Sequence, residues 1–98
     1  MPTYEALPRF AADLDRLTPE QRRRFRQTVT AFVHDLRNGG HFRASLRIKR
    51  IQRASGIYEL TWSTGTGRAT WQYGTPRRPG TPHIIWHRIG THTILTRR

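Results

Sequence analysis

The 98-residue chain contains no cysteine, which excludes disulfides, thiolate chemistry and Cys-ligated zinc. It also lacks long apolar runs: none approaches the ~20 residues that span a bilayer, so no membrane association is expected. The opening Met-Pro-Thr-Tyr-Glu-Ala-Leu-Pro has no basic segment followed by an apolar one. No secretion signal is read there, and the cytoplasm is the expected location. The five His have no zinc-like pairing, the carboxylates do not cluster as magnesium requires, and no glycine-rich phosphate loop opens a helix. Neither a metal nor a cofactor is expected.

Acid is scarce too. Six Asp and Glu stand against eighteen Lys and Arg, for a net charge of +12. The imbalance is uneven along the chain. Residues 1–38 hold seven Arg and five acids, whereas residues 39–98 hold eleven bases and one acid, Glu59. A folded segment that basic repels itself, and a polyanionic partner is the usual compensation. Seventeen of the eighteen bases are Arg, the residue suited to two-pronged phosphate contacts and to stacking on bases.

What is present has clear periodicity. Thr18-Pro19-Glu20-Gln21 forms a capping box with Pro at the first helical position. Phe25, Val29, Phe32, Val33 and Leu36 then recur on one helical stripe, and Asn38-Gly39-Gly40 ends it. Phe10, Leu14 and Leu17 mark a shorter helix before it. Beyond Gly40 the period changes to two: Leu46 and Ile48, then Tyr58, Leu60 and Trp62, then Ala69, Trp71 and Tyr73. Residues 74–82, rich in Pro and Gly, read as a loop outside any ladder, and 83–89 as a fourth strand broken by Gly90. A short strand over 3–7 and a docked segment at Ile94-Leu95 are weaker readings. The expected fold is α+β, a single domain over 1–98. A helical hairpin over about 9–38 covers one face of a twisted, four-stranded, mainly antiparallel sheet over about 44–95. The uncovered face then presents Arg47, Lys49, Glu59, Thr61, Thr70 and Gln72 as a cationic groove.

Three stretches carry a family likeness: Ser45-Leu46-Arg47-Ile48-Lys49-Arg50, Gly56-Ile57-Tyr58-Glu59-Leu60, and Pro82 through His92 with its Gly90-Thr91-His92 ending. Together they resemble the RelE/ParE superfamily of toxins, and the last resembles its YafQ-like branch, where that His is catalytic. The resemblance implies cleavage of mRNA on the ribosome and inhibition by a cognate acidic antitoxin. Two departures stand out. Glu59 occupies a position where many RelE-like toxins place Arg, and the region after the last strand has no aromatic residue. Other readings of the same features are a ParE-like inhibitor of DNA gyrase and a non-enzymatic basic nucleic-acid-binding module.

Metal-free RNA cleavage needs a base for the 2′-OH, cations for the phosphorane and an acid for the leaving oxygen. His92, with His87 in reserve, is the candidate acid. Glu59 is either the base or an ion-pair partner that orients Arg47 or Arg68. Lys49, Arg47 and Arg88 are candidates for the transition state. Arg88 faces either with Ile84 and Trp86 or away from them. Arg43, Arg47, Arg50, Arg53 and Arg68 are candidate RNA contacts. Trp62 and Trp71 are expected in the core, and Trp86 is the tryptophan left for stacking on bases.

Overall fold

The computed structural model describes residues 2–52, 54–63 and 67–91. Strand β1 (Thr3–Ala6) leads into helices α1 (Pro8–Asp15) and α2 (Pro19–Arg37). A 3₁₀ turn (Ala44–Leu46) follows, then β2 (Lys49–Arg50), β3 (Tyr58–Ser63), β4 (Gly67–Arg78) and β5 (Thr81–Thr91). The strands form one five-stranded sheet in the order β1-β5-β4-β3-β2, antiparallel except for the parallel β1–β5 pair. The fold is α+β as expected, with one strand more than the four expected.

Helix α2 starts as its sequence dictates. The Thr18 hydroxyl accepts from the Gln21 amide at 3.1 Å, and the Gln21 side chain accepts from the Thr18 amide at 2.9 Å. Its buried side, Phe25, Phe32 and Leu36, joins Phe10 of α1 against Leu60, Trp62, Ala69, Trp71, Ile84, Trp86 and Ile89 of the sheet. The rings meet edge to face or tilted: Phe32 lies 5.0 Å from Trp71, and Phe25 lies 5.5 Å from Trp86. All three tryptophans are buried, so Trp86 is core rather than a stacking surface.

The weaker reading of a strand over 3–7 is borne out, and three other local readings change. Thr3–Ala6 is a strand because β5 would otherwise expose a row of amides and carbonyls; Thr3 pairs with His83 and Ala6 with Trp86. Its own short, polar sequence signals this only weakly. Thr3 Oγ1 lies 2.7 Å from His83 Nδ1, and Glu5 Oε1 lies 2.9 Å from His83 Nε2, adding side-chain bonds to the ladder. The expected strand at 46–49 is mostly a 3₁₀ turn closed by Arg47 at φ 49°, leaving two residues for β2. Residues 74–82 are a hairpin rather than a loop. Gly74 pairs with His83 and Arg78 with Thr81, and the register shifts between them, so Pro76 lies where no ladder partner is required. Gly80 at φ 74° makes the turn. Gly90 does not break β5 either; it pairs with Arg68.

The facing of β5 has a specific cause. Thr70 pairs with Arg88 but Trp71 pairs with Trp86, a bulge that places an extra residue, His87, in β5. Ile84, Trp86 and Ile89 therefore all reach the core although 86 and 89 are three apart. Strict alternation cannot produce that set.

Candidate functional site

On the side of the sheet away from α2, four strands align one row: Lys49 of β2, Glu59 of β3, Thr70 of β4 and Arg88 of β5 are successive register partners. Glu59 is only 2% exposed although neither described helix covers that face. Its Oε1 lies 3.5 Å from both Lys49 Nζ and Arg68 Nε, within ion-pair range but, among the described residues, without a hydrogen bond. Lys49 is largely in solvent, whereas Arg68 is mostly buried and donates through a second nitrogen to the Gly67 carbonyl at 3.0 Å. The result is an acceptor oxygen held between two cations, one largely exposed and one mostly buried. Buried charges without full hydrogen bonding are costly and concentrate at functional sites.

Next to this row, His87 Nε2 and Gln72 Oε1 lie within hydrogen-bond distance of each other. His87 and Arg88 line a cavity of about 480 Å³ with Leu7, Pro8 and Arg9 at the start of α1. Strands lie about 4.8 Å apart, so Glu59 on β3 and the β5 bulge are separated by two strand spacings, about 10 Å. Both flank Thr70, whose hydroxyl accepts from the Arg88 amide at 3.1 Å.

The structure brings Lys49, Glu59 and Arg68 together, with His87 two strands away. It does not bring Arg43, Arg47 or Arg50 to them. Arg43 is held by Asp35 through its amide, Nε and a terminal nitrogen, each at 2.9 Å. Those bonds hold the Asp35 carboxyl down at about 2. Arg47 shares a separate cavity of about 280 Å³ with Arg43, Thr61 and Trp62, so Glu59 pairs with Arg68 and Lys49 rather than with Arg47. Arg50 pairs with Tyr58 in register and lies over its ring, 6.0 Å from the centroid, on the helix-covered side. Arg88 is gripped by Asp13 of α1 at 2.6 and 3.1 Å, and the same carboxylate accepts from the Ile89 amide at 3.2 Å. Burial pushes the Asp13 carboxyl up, but the Arg88 and Ile89 hydrogen bonds outweigh it and leave it below the usual range. Arg53 and His92 lie outside the described residues, as does the Ile94-Leu95 segment.

Sequence reasoning missed Asp13, Asp35 and Arg9, and it set Gln72 on the open face without its His87 partner. A signal existed for the first two. Asp13 sits three residues after Phe10, and Asp35 three after Phe32, so each interrupts an apolar helical stripe. A carboxylate on such a stripe implies a buried cation nearby. Among the described residues no three His, Asp or Glu side chains converge as a metal site. No described helix is long and apolar enough to cross a membrane.

A helical pair packed on one face of a five-stranded sheet is a RelE/YafQ-like α+β fold. Among solved structures, the chain superposes on YafQ from E. coli strain BL21(DE3) with a TM-score of 0.63 at 14% identity, covering 97% of this chain and 98% of that one. The E. coli DinJ–YafQ complex gives 0.64 at 14% identity with the same coverage. The RelB–RelE antitoxin–toxin complex from Methanococcus jannaschii gives 0.59 at 17% identity over 94% of each chain. No family model matches the sequence. No curated protein matches it either.

Proposed function

We propose that the chain is the toxin of a toxin–antitoxin pair, an endoribonuclease that cuts ribosome-bound mRNA without a metal. The observation that carries this reading is Glu59: a buried carboxylate oxygen without a hydrogen bond, set between Lys49 and Arg68 on a fold shared with YafQ and RelE. In this mechanism Glu59 Oε1 accepts the 2′-OH proton, and the ribose oxygen attacks the adjacent phosphorus. The exposed Lys49 shifts onto the phosphate as charge grows on it, while Arg68 stays beside the carboxylate. An imidazole, His92 with His87 as the alternative, protonates the departing 5′ oxygen. The products are a 2′,3′-cyclic phosphate and a 5′-hydroxyl, and the required 2′-OH restricts the reaction to RNA. Ribosome-bound message supplies a substrate already ordered, which lowers what the protein must contribute in positioning.

The partner that restrains this activity is a cognate acidic antitoxin. The RelB–RelE and DinJ–YafQ complexes support that assignment, and the net charge of +12 suits an acidic binder. The site of action is the cytoplasm.

Induced expression in bacteria, followed by primer extension on an abundant message, tests the reading. New 5′ ends should appear within minutes in the wild type, and Glu59→Gln and His92→Ala should each reduce them by about 10² or more. Intact message with growth arrest and DNA-damage signalling would instead move the protein to gyrase inhibition. Cleavage undiminished in a folded Glu59→Gln variant would remove the carboxylate from the mechanism.

A further inference from the structure

A second feature lies on the helix-covered side, away from the Glu59 row. The β4–β5 hairpin runs past both neighbours: β3 pairs with β4 only as far as Trp71, and β1 pairs with β5 only from His83 onward. The projecting arm, residues 75–82, carries Arg77 and Arg78 and no acid. Its strand bends where the register slips, and three prolines restrict its backbone, so holding it in one shape costs little entropy on binding. Between this arm and the end of α2 lies a cleft of about 430 Å³, lined by Arg37, Gly39, Gly40, Tyr73, Thr81 and Pro82 among others.

Tyr73 is the notable wall. Edge-to-face contacts with Trp71 at 5.1 Å and Tyr58 at 5.8 Å fix its ring, yet 44% of the residue stays exposed. A large aromatic held rigid and left half in solvent offers a stacking surface without an ordering cost. Arg37 beside it is exposed, and among the described residues no carboxylate lines the cleft. The glycines at φ 100° and 78° keep that wall free of side chains.

We propose that this cleft binds one unpaired nucleotide of RNA, its base stacked on Tyr73 and its phosphate on Arg37, with Arg78 gripping the neighbouring phosphate. The inference builds on the RNA-directed reading above but concerns a separate surface, which needs no acid or base. Base stacking on an aromatic tolerates any sequence, so the cleft adds grip rather than codon choice.

The test uses the full chain and a short single-stranded 2′-O-methyl oligonucleotide carrying 2-aminopurine, which lacks the attacking hydroxyl and is not cut. The fluorescence of 2-aminopurine falls when it stacks. Wild type and Tyr73→Phe should quench it, whereas Tyr73→Ala should not and should bind about tenfold more weakly. Because truncating Tyr73 disturbs its ring neighbours, Arg37→Glu serves as a second probe on an exposed position. It should weaken binding and reduce the salt dependence by about one phosphate contact. Quenching retained in Tyr73→Ala, or affinity and salt dependence unchanged in Arg37→Glu, would overturn the proposal. So would full displacement of the oligonucleotide by poly-glutamate equally from wild type and Tyr73→Ala, which would mark a surface for an acidic polypeptide. None of these readouts requires cleavage, so a protein that cuts nothing can still pass, and a nuclease can still fail.

Discussion

The two faces of the sheet bury their residues in different ways. Under the helices, Leu60 and Trp71 are fully buried among other apolar side chains, and the rings interlock at close range. On the other face Glu59 is nearly as hidden, yet it is surrounded by the long side chains of Lys49 and Arg68 and lacks a hydrogen bond to Oε1. The covered face gains free energy from its apolar contacts, though the Trp71 indole N–H there lacks a hydrogen-bond partner among the described residues. On the open face it is a carboxylate oxygen that lacks one. The other two buried carboxylates sharpen the contrast. Asp13 and Asp35 are hydrogen-bonded to an arginine and a backbone amide each, and they lock Arg88 and Arg43 into the frame. Satisfied acids stabilise the fold here, whereas Glu59 Oε1 has no hydrogen-bond partner among the described residues.

Substitutions should rank accordingly. The largest loss is expected from the covered face: Phe32→Ala removes a ring packed on Trp71, Trp86 and Phe42 and should cost about 4 kcal/mol. A thermal melt should register this as a drop of at least about 15 °C. A drop of only a few degrees would mean that the two faces share the load. Asp13→Ala comes next, at about 3 kcal/mol, because it strands Arg88 and the Ile89 amide together. Urea unfolding should show the lower midpoint with an unchanged slope.

Acid should act through the same locked carboxylates. A carboxyl held below its unfolded value contributes stability above that value and loses it as pH falls through the folded one. For Asp35 the window runs from about 3.8 down to about 2. Melting temperature should therefore be flat above pH 5 and fall between pH 4 and 2, and Asp35→Asn should be less stable at neutral pH with a shallower fall. An equally steep fall in that variant would assign the acid sensitivity to other groups. The smallest effect on stability is expected at Glu59. Glu59→Gln should leave the unfolding free energy within about 1 kcal/mol of wild type, since the charge it removes is incompletely paired. A loss comparable to that of Asp13→Ala would make Glu59 a third structural lock and dissolve the contrast.

Legibility in the sequence followed the range of the forces involved. The capping box of α2, its apolar stripe and the alternation in β3 are local, and each appears in the structure where the residues predict it. The parallel pairing of β1, the hairpin through Pro76 and the slip at His87 depend on what lies across the sheet. No window along the chain contains that information. The site divides in the same way. Alternation placed Glu59 with Lys49 on the open face, and both are there. The fates of Arg43 and Arg88 turned on Asp35, eight residues away, and Asp13, seventy-five residues away. Basic residues read alike in a sequence until their acidic partners are known.

The pairing of Thr3 with His83 spans 80 residues, so the first strand made is among the last to find its place. During synthesis the N-terminal segment emerges without a mate, and the helices can pack on nothing until most of the sheet has followed. Contacts this distant in sequence form slowly, because the chain must close a long loop before any bond repays the cost. Closure of the sheet therefore waits until β5 is available to receive β1.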